Sequence, residues 1–403
     1  MKVLGSIFVF LAKIFRFIGA RLLELGTSLG GTLATKDTKS LAGMNPKFAV
    51  FFDGDDSTLY QIAMWIKPFE QVGEEWIIIT KRPRIANLLQ NMTSQAKVVI
   101  AKEKDNLVKV CNLPSLKLVM YVNNARENTE VVRFPHLVHA QLMHGDSEKT
   151  ASFNPVSGMF TKIFVAGQAG VDRYERNGVM VHPAKFEIVG RPQLQAMNVI
   201  NGPVNPERPT VLVAPTWGGS ALGEQLSSLS TNPEIVMHLI SQGTRVIFRP
   251  HPFCKNTPEG SATIKKVQNL LAADNAANGS GHIYGAAAET QITVNEAANL
   301  SDMIVSDLSG IMSDWLFSLK PYLLVSMDQS AEAFAERYPM GRAGVVVDGR
   351  EPKDFAAAIT KLIAADTQEA FEARKKMREY YLAGANEADR TALFNSVVKK
   401  LVS

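Results

Sequence analysis

The chain has 403 residues, 46% of them hydrophobic and 20% charged, with a formal net charge of +4 and a pI near 8.9. That length suits two domains of common size, and the composition excludes a disordered chain. The positive excess is mild and no Arg/Lys stripe with interleaved aromatics occurs, so the sequence carries no nucleic-acid signature. Cys111 and Cys254 lie far apart with no CxxC or Cys/His pattern. This argues against a disulfide framework or a structural zinc site and favours a reducing compartment.

Residues 2–25 read KVLGSIFVFLAKIFRFIGARLLEL. At 100° per residue Lys2, Lys13, Arg16 and Glu24 share one side, with Arg21 at its edge, and Leu4, Ile7, Leu11, Ile14, Phe15, Ile18, Leu22 and Leu25 share the other. The uninterrupted apolar run is far shorter than the roughly 20 residues a spanning helix needs. A signal peptide and a helix packed on its own protein are the rival readings. The basic face favours an amphipathic helix in the plane of an anionic membrane surface, peripheral on its cytoplasmic face. Residues 26–46, rich in Gly, Ser and Thr, read as a tether.

Short apolar runs follow: Phe48–Phe52, Glu75–Thr80, Lys97–Ala101, Leu116–Val122, Leu137–Met143, Lys162–Ala166 and Glu187–Val189. They alternate with helical stretches such as Thr58–Val72 and Arg84–Met92. That pattern predicts an α/β fold on a doubly wound, mostly parallel sheet over 47–190. Residues 191–209 contain four prolines and read as an interdomain linker. A second alternating set fills 210–365. Strands are expected at Val211–Ala214, Arg245–Arg249, Gly281–Tyr284, Met303–Ser306 and Tyr322–Val325, and helices at Glu234–Ser241, Ile264–Ala272 and Pro352–Ala365. The charged tail, 366–403, reads as two helices. Two such halves place a cleft between the carboxyl ends of both sheets, where open α/β sheets bind ligands.

Every candidate for chemistry follows a predicted strand. His144, in Gln141-Leu-Met-His-Gly145, can act as a general base on a hydroxyl, and Gly145 permits close approach of backbone to a ligand. Ser147 and Lys149 could meet an anion. His136 and His139 read as packed histidines. In Arg249-Pro-His-Pro252 two prolines restrict the backbone around His251, and Arg249 is a natural phosphate ligand. Asp307-Leu-Ser-Gly310 follows a strand and should open a helix, so Ser309, Gly310 and the amides beyond either meet an anion or are simply capped. Thr216 and Trp217 lie in a small-residue loop that could face the cleft, where Trp217 could stack on a base or sugar, or pack. The acidic cluster Asp53-Gly-Asp-Asp56 reads as a solvated turn in preference to a metal site. No P-loop, GxSxG elbow, HExxH or EF-hand appears.

Taken in order, these pieces resemble the CDP-glycerol glycerophosphotransferase family, the teichoic-acid primases and polymerases. The resemblance runs from about Phe48 to Val325. It includes Tyr121-Val-Asn-Asn124, Gln141-Leu-Met-His-Gly145 with Lys149, Gly190-Arg-Pro192, Leu212-Val-Ala-Pro-Thr-Trp217, Arg249-Pro-His-Pro252, and Ser301–Ser309 with Asp314. It implies the GT-B fold of two Rossmann-like domains, with the acceptor on the first and the nucleotide donor on the second. It also implies catalytic roles for His144 and His251. Arg249, Asp307, Ser309, Gly310 and Thr216 would bind the donor, with Asp146, Lys149 and Asn124 in acceptor or supporting roles. The donor would be CDP-glycerol and the acceptor a lipid-linked or polymeric glycan, with no cofactor and no metal. Three positions depart from the family's pattern. Asp146 follows Gly145 where threonine is usual, Gly310 stands for one of two serines, and Arg191-Pro192 reverses the usual order. These departures leave room for another CDP-polyol, for a GT-B glycosyltransferase using a nucleotide sugar, or for a non-catalytic nucleotide-binding protein at the membrane surface.

Overall fold

The computed structural model describes residues 41, 43–218, 226–385 and 391–403. The expected interface helix and most of the expected tether lie outside the described residues. Among the described residues no helix is long and apolar enough to cross a membrane.

The first half is a seven-stranded, fully parallel sheet in the order β3-β2-β1-β4-β5-β6-β7. Its strands are β1 (Phe48–Phe51), β2 (Trp76–Thr80), β3 (Lys97–Ile100), β4 (Leu118–Tyr121), β5 (Val138–Gln141), β6 (Lys162–Val165) and β7 (Phe186–Ile188). Its helices are α1 (Tyr60–Gln71), α2 (Pro83–Gln90), α3 (Lys104–Cys111), α4 (Asn128–Val131) and α5 (Gln168–Arg176). The second half is a five-stranded parallel sheet, β12-β11-β10-β8-β9. It is built from β8 (Thr210–Ala214), β9 (Arg245–Phe248), β10 (Met303–Ser306), β11 (Tyr322–Ser326) and β12 (Val345–Asp348). Its helices are α6 (Asn232–Ser241), α7 (Pro258–Asn278), α8 (Ala286–Glu289), α9 (Val294–Asn299), α10 (Gly310–Trp315), α11 (Ala331–Arg337), α12 (Phe355–Ile363) and α13 (Gln368–Tyr381). A last helix, α14, spans Ala392–Val402.

The central strands β1, β2, β4, β8, β10 and β11 are buried along their whole length. Helices cover both faces of a parallel sheet, so these strands read as continuous apolar runs rather than alternating ones. Strand order reverses between β1 and β4 in the first sheet and between β8 and β10 in the second. Ligands of doubly wound sheets bind at the carboxyl ends of strands beside such a reversal.

Two parts of the fold differ from the pattern expected. The segment 281–284 contributes only an isolated bridge, Ile283 to Ile247, and no strand. Gly281 and Gly285 bracket it with φ of 72° and 62°, and these left-handed residues end the extended run on both sides. The proline-rich stretch 191–209 is partly packed. Pro192 and Leu194 are buried in a 3-10 helix, and Leu194 and Met197 join Tyr381 and Leu382 in one apolar cluster.

The tail divides between the two halves. Arg374 of α13 pairs with Asp366 and donates from Nε to the Leu319 carbonyl at 2.7 Å, which ties α13 to the second half. Helix α14 returns to the first half, where Phe394, Val398 and Val402 complete the core formed with Trp65 and Phe69. Phe394 packs tilted against Trp65 at 5.5 Å and edge-on to Phe164 at 6.2 Å. Replacing Phe394 by alanine should cost about 3–5 kcal/mol, because it removes a buried ring from a site the sheet cannot collapse to fill. Urea unfolding monitored at Trp65 would measure it, and a loss below about 1 kcal/mol would show α14 to be dispensable packing.

Candidate active site

The first wall of the cleft follows β5. Trp65 donates its indole N–H to the Met143 carbonyl at 2.9 Å, and Met143 adopts φ 62°. A non-glycine residue in this left-handed region carries strain of about 1 kcal/mol or more. The turn it creates presents His144 at the carboxyl edge. The imidazole stands edge-to-face against Tyr60 at 5.7 Å, and its Nδ1 is buried with no hydrogen-bond partner. Burial first, and then the charge of Arg191, lowers its pKa to about 4. His144 is therefore a neutral proton acceptor near pH 7.

Beyond Gly145 the chain alternates. Asp146 and Glu148 turn into the first half and pair with Arg173, whereas Lys149 crosses the cleft and donates to Thr216 Oγ1 at 2.7 Å. Asp146 is thus held by Arg173. Asn124 accepts from Gln141 and donates to the Ala151 carbonyl at 3.1 Å, which braces the following turn.

The second wall follows β8, β9 and β10. The His251 amide donates to the Pro215 carbonyl at 3.0 Å, and its Nδ1 accepts from the Phe253 amide at 3.2 Å. With Nδ1 accepting, the proton of the neutral ring sits on Nε2 as a donor. Burial, then the charges of Lys149 and His144, lowers the His251 pKa to about 4. His251 lies within range of the charge of His144 although the two follow strands of different sheets. Trp217, 36% exposed, packs edge-on to Phe253 at 5.4 Å beside His251.

The other expected donor contacts are engaged differently. The Asp307 carboxylate is fully buried and accepts from the Thr216 amide at 2.9 Å and from the Ser228 amide and hydroxyl, each at 2.8 Å. It shapes the loop after β8 and has no face on the cleft. Arg249 commits Nη1 to the carbonyls of Ala288 and Ile292, the latter at 2.9 Å, and so pins the turn around α8. The Ser309 hydroxyl donates to the Asp307 carbonyl at 3.2 Å and sits 3.1 Å from Ser306 Oγ, without capping α10. Gly310 faces the first half. A Cβ there would lie 3.6 Å from the Asp146 carbonyl oxygen and 4.0 Å from Gly145 Cα, which is ordinary contact. In the acidic turn, Asp53 is buried and accepts from the Lys81 amide at 3.0 Å, Asp55 caps a short helix, and Asp56 pairs with Arg84. These carboxylates brace the turn, and Asp53 is not solvated as expected.

One site feature received no role from the sequence. Arg191, three residues beyond β7, makes a bidentate bridge to Asp314 of α10, with Nε–Oδ1 and Nη2–Oδ2 both 3.0 Å. Their side chains are 5% and 17% exposed. The bridge joins the two halves beside His144. Arg191 and Asp314 both lie in stretches that carry the family resemblance, but nothing in the sequence pairs one with the other.

Residues 195–394 match the family described as CDP-Glycerol:Poly(glycerophosphate) glycerophosphotransferase. The match runs from the proline-rich stretch through the second sheet to the start of α14. The chain is accordingly a glycerophosphotransferase-like enzyme. No curated protein matches it. Among solved structures it is similar to a putative UDP-N-acetylglucosamine 2-epimerase from Listeria monocytogenes, with TM-score 0.55, 12% identity and coverage of 84% of this chain and 93% of that one. It is also similar to a variant of the wall teichoic acid polymerase TagF soaked with CDPG, with TM-score 0.53, 11% identity and 97% coverage of both chains. A third is the S. aureus MnaA-UDP co-structure, with TM-score 0.54, 13% identity and coverage of 88% and 96%. At these identities the likeness is one of fold, the two-domain GT-B architecture.

Proposed function

We propose that this glycerophosphotransferase-like enzyme transfers glycerol phosphate, or a related polyol phosphate, from CDP-glycerol to a hydroxyl of a membrane-linked glycan or teichoic-acid-like polymer, releasing CMP. The observation that carries the reading is that Lys149, on the loop of His144, reaches Thr216 on the wall that holds His251, with both histidines kept neutral by burial. The acceptor hydroxyl gives its proton to His144 as its oxygen attacks the β-phosphorus. The bond from that phosphorus to the bridging oxygen breaks, and the electron pair leaves with CMP. His251 Nε2–H and the Lys149 ammonium offset the charge building on the phosphates. Asp307 and Arg249 act behind them by shaping the loops after β8 and β9. The reaction needs no cofactor. The basic amphipathic segment 2–25 would hold the enzyme on the cytoplasmic face of an anionic membrane, close to a lipid-linked acceptor.

The deciding experiment offers the purified protein CDP-glycerol and then a panel of CDP- and UDP-donors, with membrane extract as acceptor. CMP release from CDP-glycerol is the expected result. UDP release from a sugar donor would replace phosphoglycerol transfer with glycosyl transfer in the same cleft. Nucleotide binding without turnover would leave a binding protein.

A further inference from the structure

The loop that carries His144 and Lys149 has a second, buried face. Arg173 of α5 is 1% exposed and receives both acids of the loop. Its Nη1 donates to Asp146, its Nη2 lies 3.4 Å from Glu148 Oε1, and its Nε lies 3.3 Å from Glu148 Oε2. Arg176 donates to Glu148 Oε2 at 2.7 Å. Glu148 Oε1 also accepts the hydroxyl of Tyr381 at 2.7 Å, from the last residue of α13. Tyr380 next to it donates to Asp172 of α5 at 2.8 Å.

Tyr381 is where the chain leaves the second half to return to the first. The Ala383 amide donates to the Ala166 carbonyl at 2.9 Å, at the end of β6. A Cβ at Gly167 would lie 2.6 Å from the Tyr381 carbonyl carbon, and one at Gly190 would lie 2.7 Å from the Ala383 oxygen. Gly190 in turn opens the outward connection. The two strands of chain that join the halves therefore touch one another beside α5. Connections of this kind absorb the rotation when two domains open and close.

Buried ions are a poor source of stability, since apolar side chains of the same volume would hold the loop as firmly. What the ions add is direction. Two carboxylates fixed to one guanidinium anchor the stretch between His144 and Lys149 on the first half, so that Lys149 leaves on the opposite face toward Thr216. We propose that Arg173 is a positioning residue for the transfer reaction, linked through Glu148 and Tyr381 to the crossover between the halves, so that the segment on which the halves turn also sets the catalytic loop. The proposal rests on the reading that His144 and Lys149 serve catalysis.

Tyr381→Phe tests it in the full chain, since it removes one hydroxyl and keeps the ring in place. Losing a hydrogen bond to a buried carboxylate should lower kcat with CDP-glycerol roughly tenfold while the donor KM stays within about twofold. Deuterium uptake over 144–152 should quicken by roughly the same factor, with uptake in β1 unchanged. Arg173→Lys, which keeps the charge and loses the fork, should show the same pattern more strongly. Uptake that is unchanged, or raised equally through the first sheet, overturns the proposal. So does a selective rise in uptake at full kcat. The uptake measurement needs no turnover, so a failure of CDP-glycerol as donor is recognised separately from a failure of this linkage.

Discussion

Replacing His144 by alanine should lower turnover of CDP-glycerol by roughly 10²–10⁴-fold, the usual contribution of a positioned general base. Donor affinity should change little, because His251 and Lys149, the groups proposed to face the phosphates, stand on other supports. Unchanged turnover would end the assignment. The pH dependence sharpens the test. Burial and Arg191 hold the free His144 at about 4, so kcat/KM should keep its acid limb near that value. A bound pyrophosphate is an anion close to the ring and favours the charged form, which moves the pKa upward. The acid limb of kcat, which reports the enzyme–substrate complex, should therefore lie at higher pH than the limb of kcat/KM. A base with its pKa nearer neutrality is also the better proton acceptor at working pH. Coincident limbs would place the titrating group away from the donor.

The same shifts bear on stability. His144 and His251 are held near 4 in the folded state, against about 6.5 in an unfolded chain. Between these values the unfolded chain binds more protons, so acid favours unfolding. The contribution of both histidines is full above pH about 6.5 and is lost as pH falls toward 4. Stability of the His144→Ala variant should fall less steeply through that window than that of the parent chain.

Replacing Arg191 by methionine should destabilise the folded chain by up to about 3–5 kcal/mol, since it leaves the largely buried Asp314 carboxylate without its partner. The double variant Arg191→Met/Asp314→Leu should recover most of that loss, because two apolar side chains need no compensating charge. Urea unfolding of the three chains measures both steps. Equal stability of Arg191→Met and the parent would show that the bridge does not hold the halves together. Arg191 also depresses His144, so the double variant should move the acid limb of kcat/KM up from about 4 toward the ordinary histidine range. That displacement separates the electrostatic role of Arg191 from its mechanical one.

Much of the fold was written in local periodicity. The runs Phe48–Phe51, Trp76–Thr80, Val211–Ala214 and Met303–Ser306 are buried throughout and apolar up to a closing Thr80 and Ser306 because both sheet faces are covered, and their spacing with helices between them implies parallel sheets. His144 and His251 were visible as candidates for a similarly local reason. Each follows a strand and sits beside glycine or proline, which limits the backbone whatever the rest of the chain does.

The partners of these residues were not visible. Arg191 meets Asp314 across 123 positions, and Tyr381 meets Glu148 across 233. Neither spacing belongs to the period of a helix or a strand, so no sequence pattern specifies it. The same holds for Asp307. Its place after a strand suggested a helix cap or donor contact, but three donors from residues 216 and 228 surround it and turn it into a brace. The tail read as two helices, yet nothing in its periodicity said that Phe394 would fill the core around Trp65 while Arg374 stayed with the second half. The sequence by itself determined the α/β alternation, the parallel sheets and the strand ends on which chemistry could sit. Only the tertiary structure decided which charges neutralise one another and which face the cleft, because desolvation and ion pairing depend on distances set by chain segments far apart in sequence.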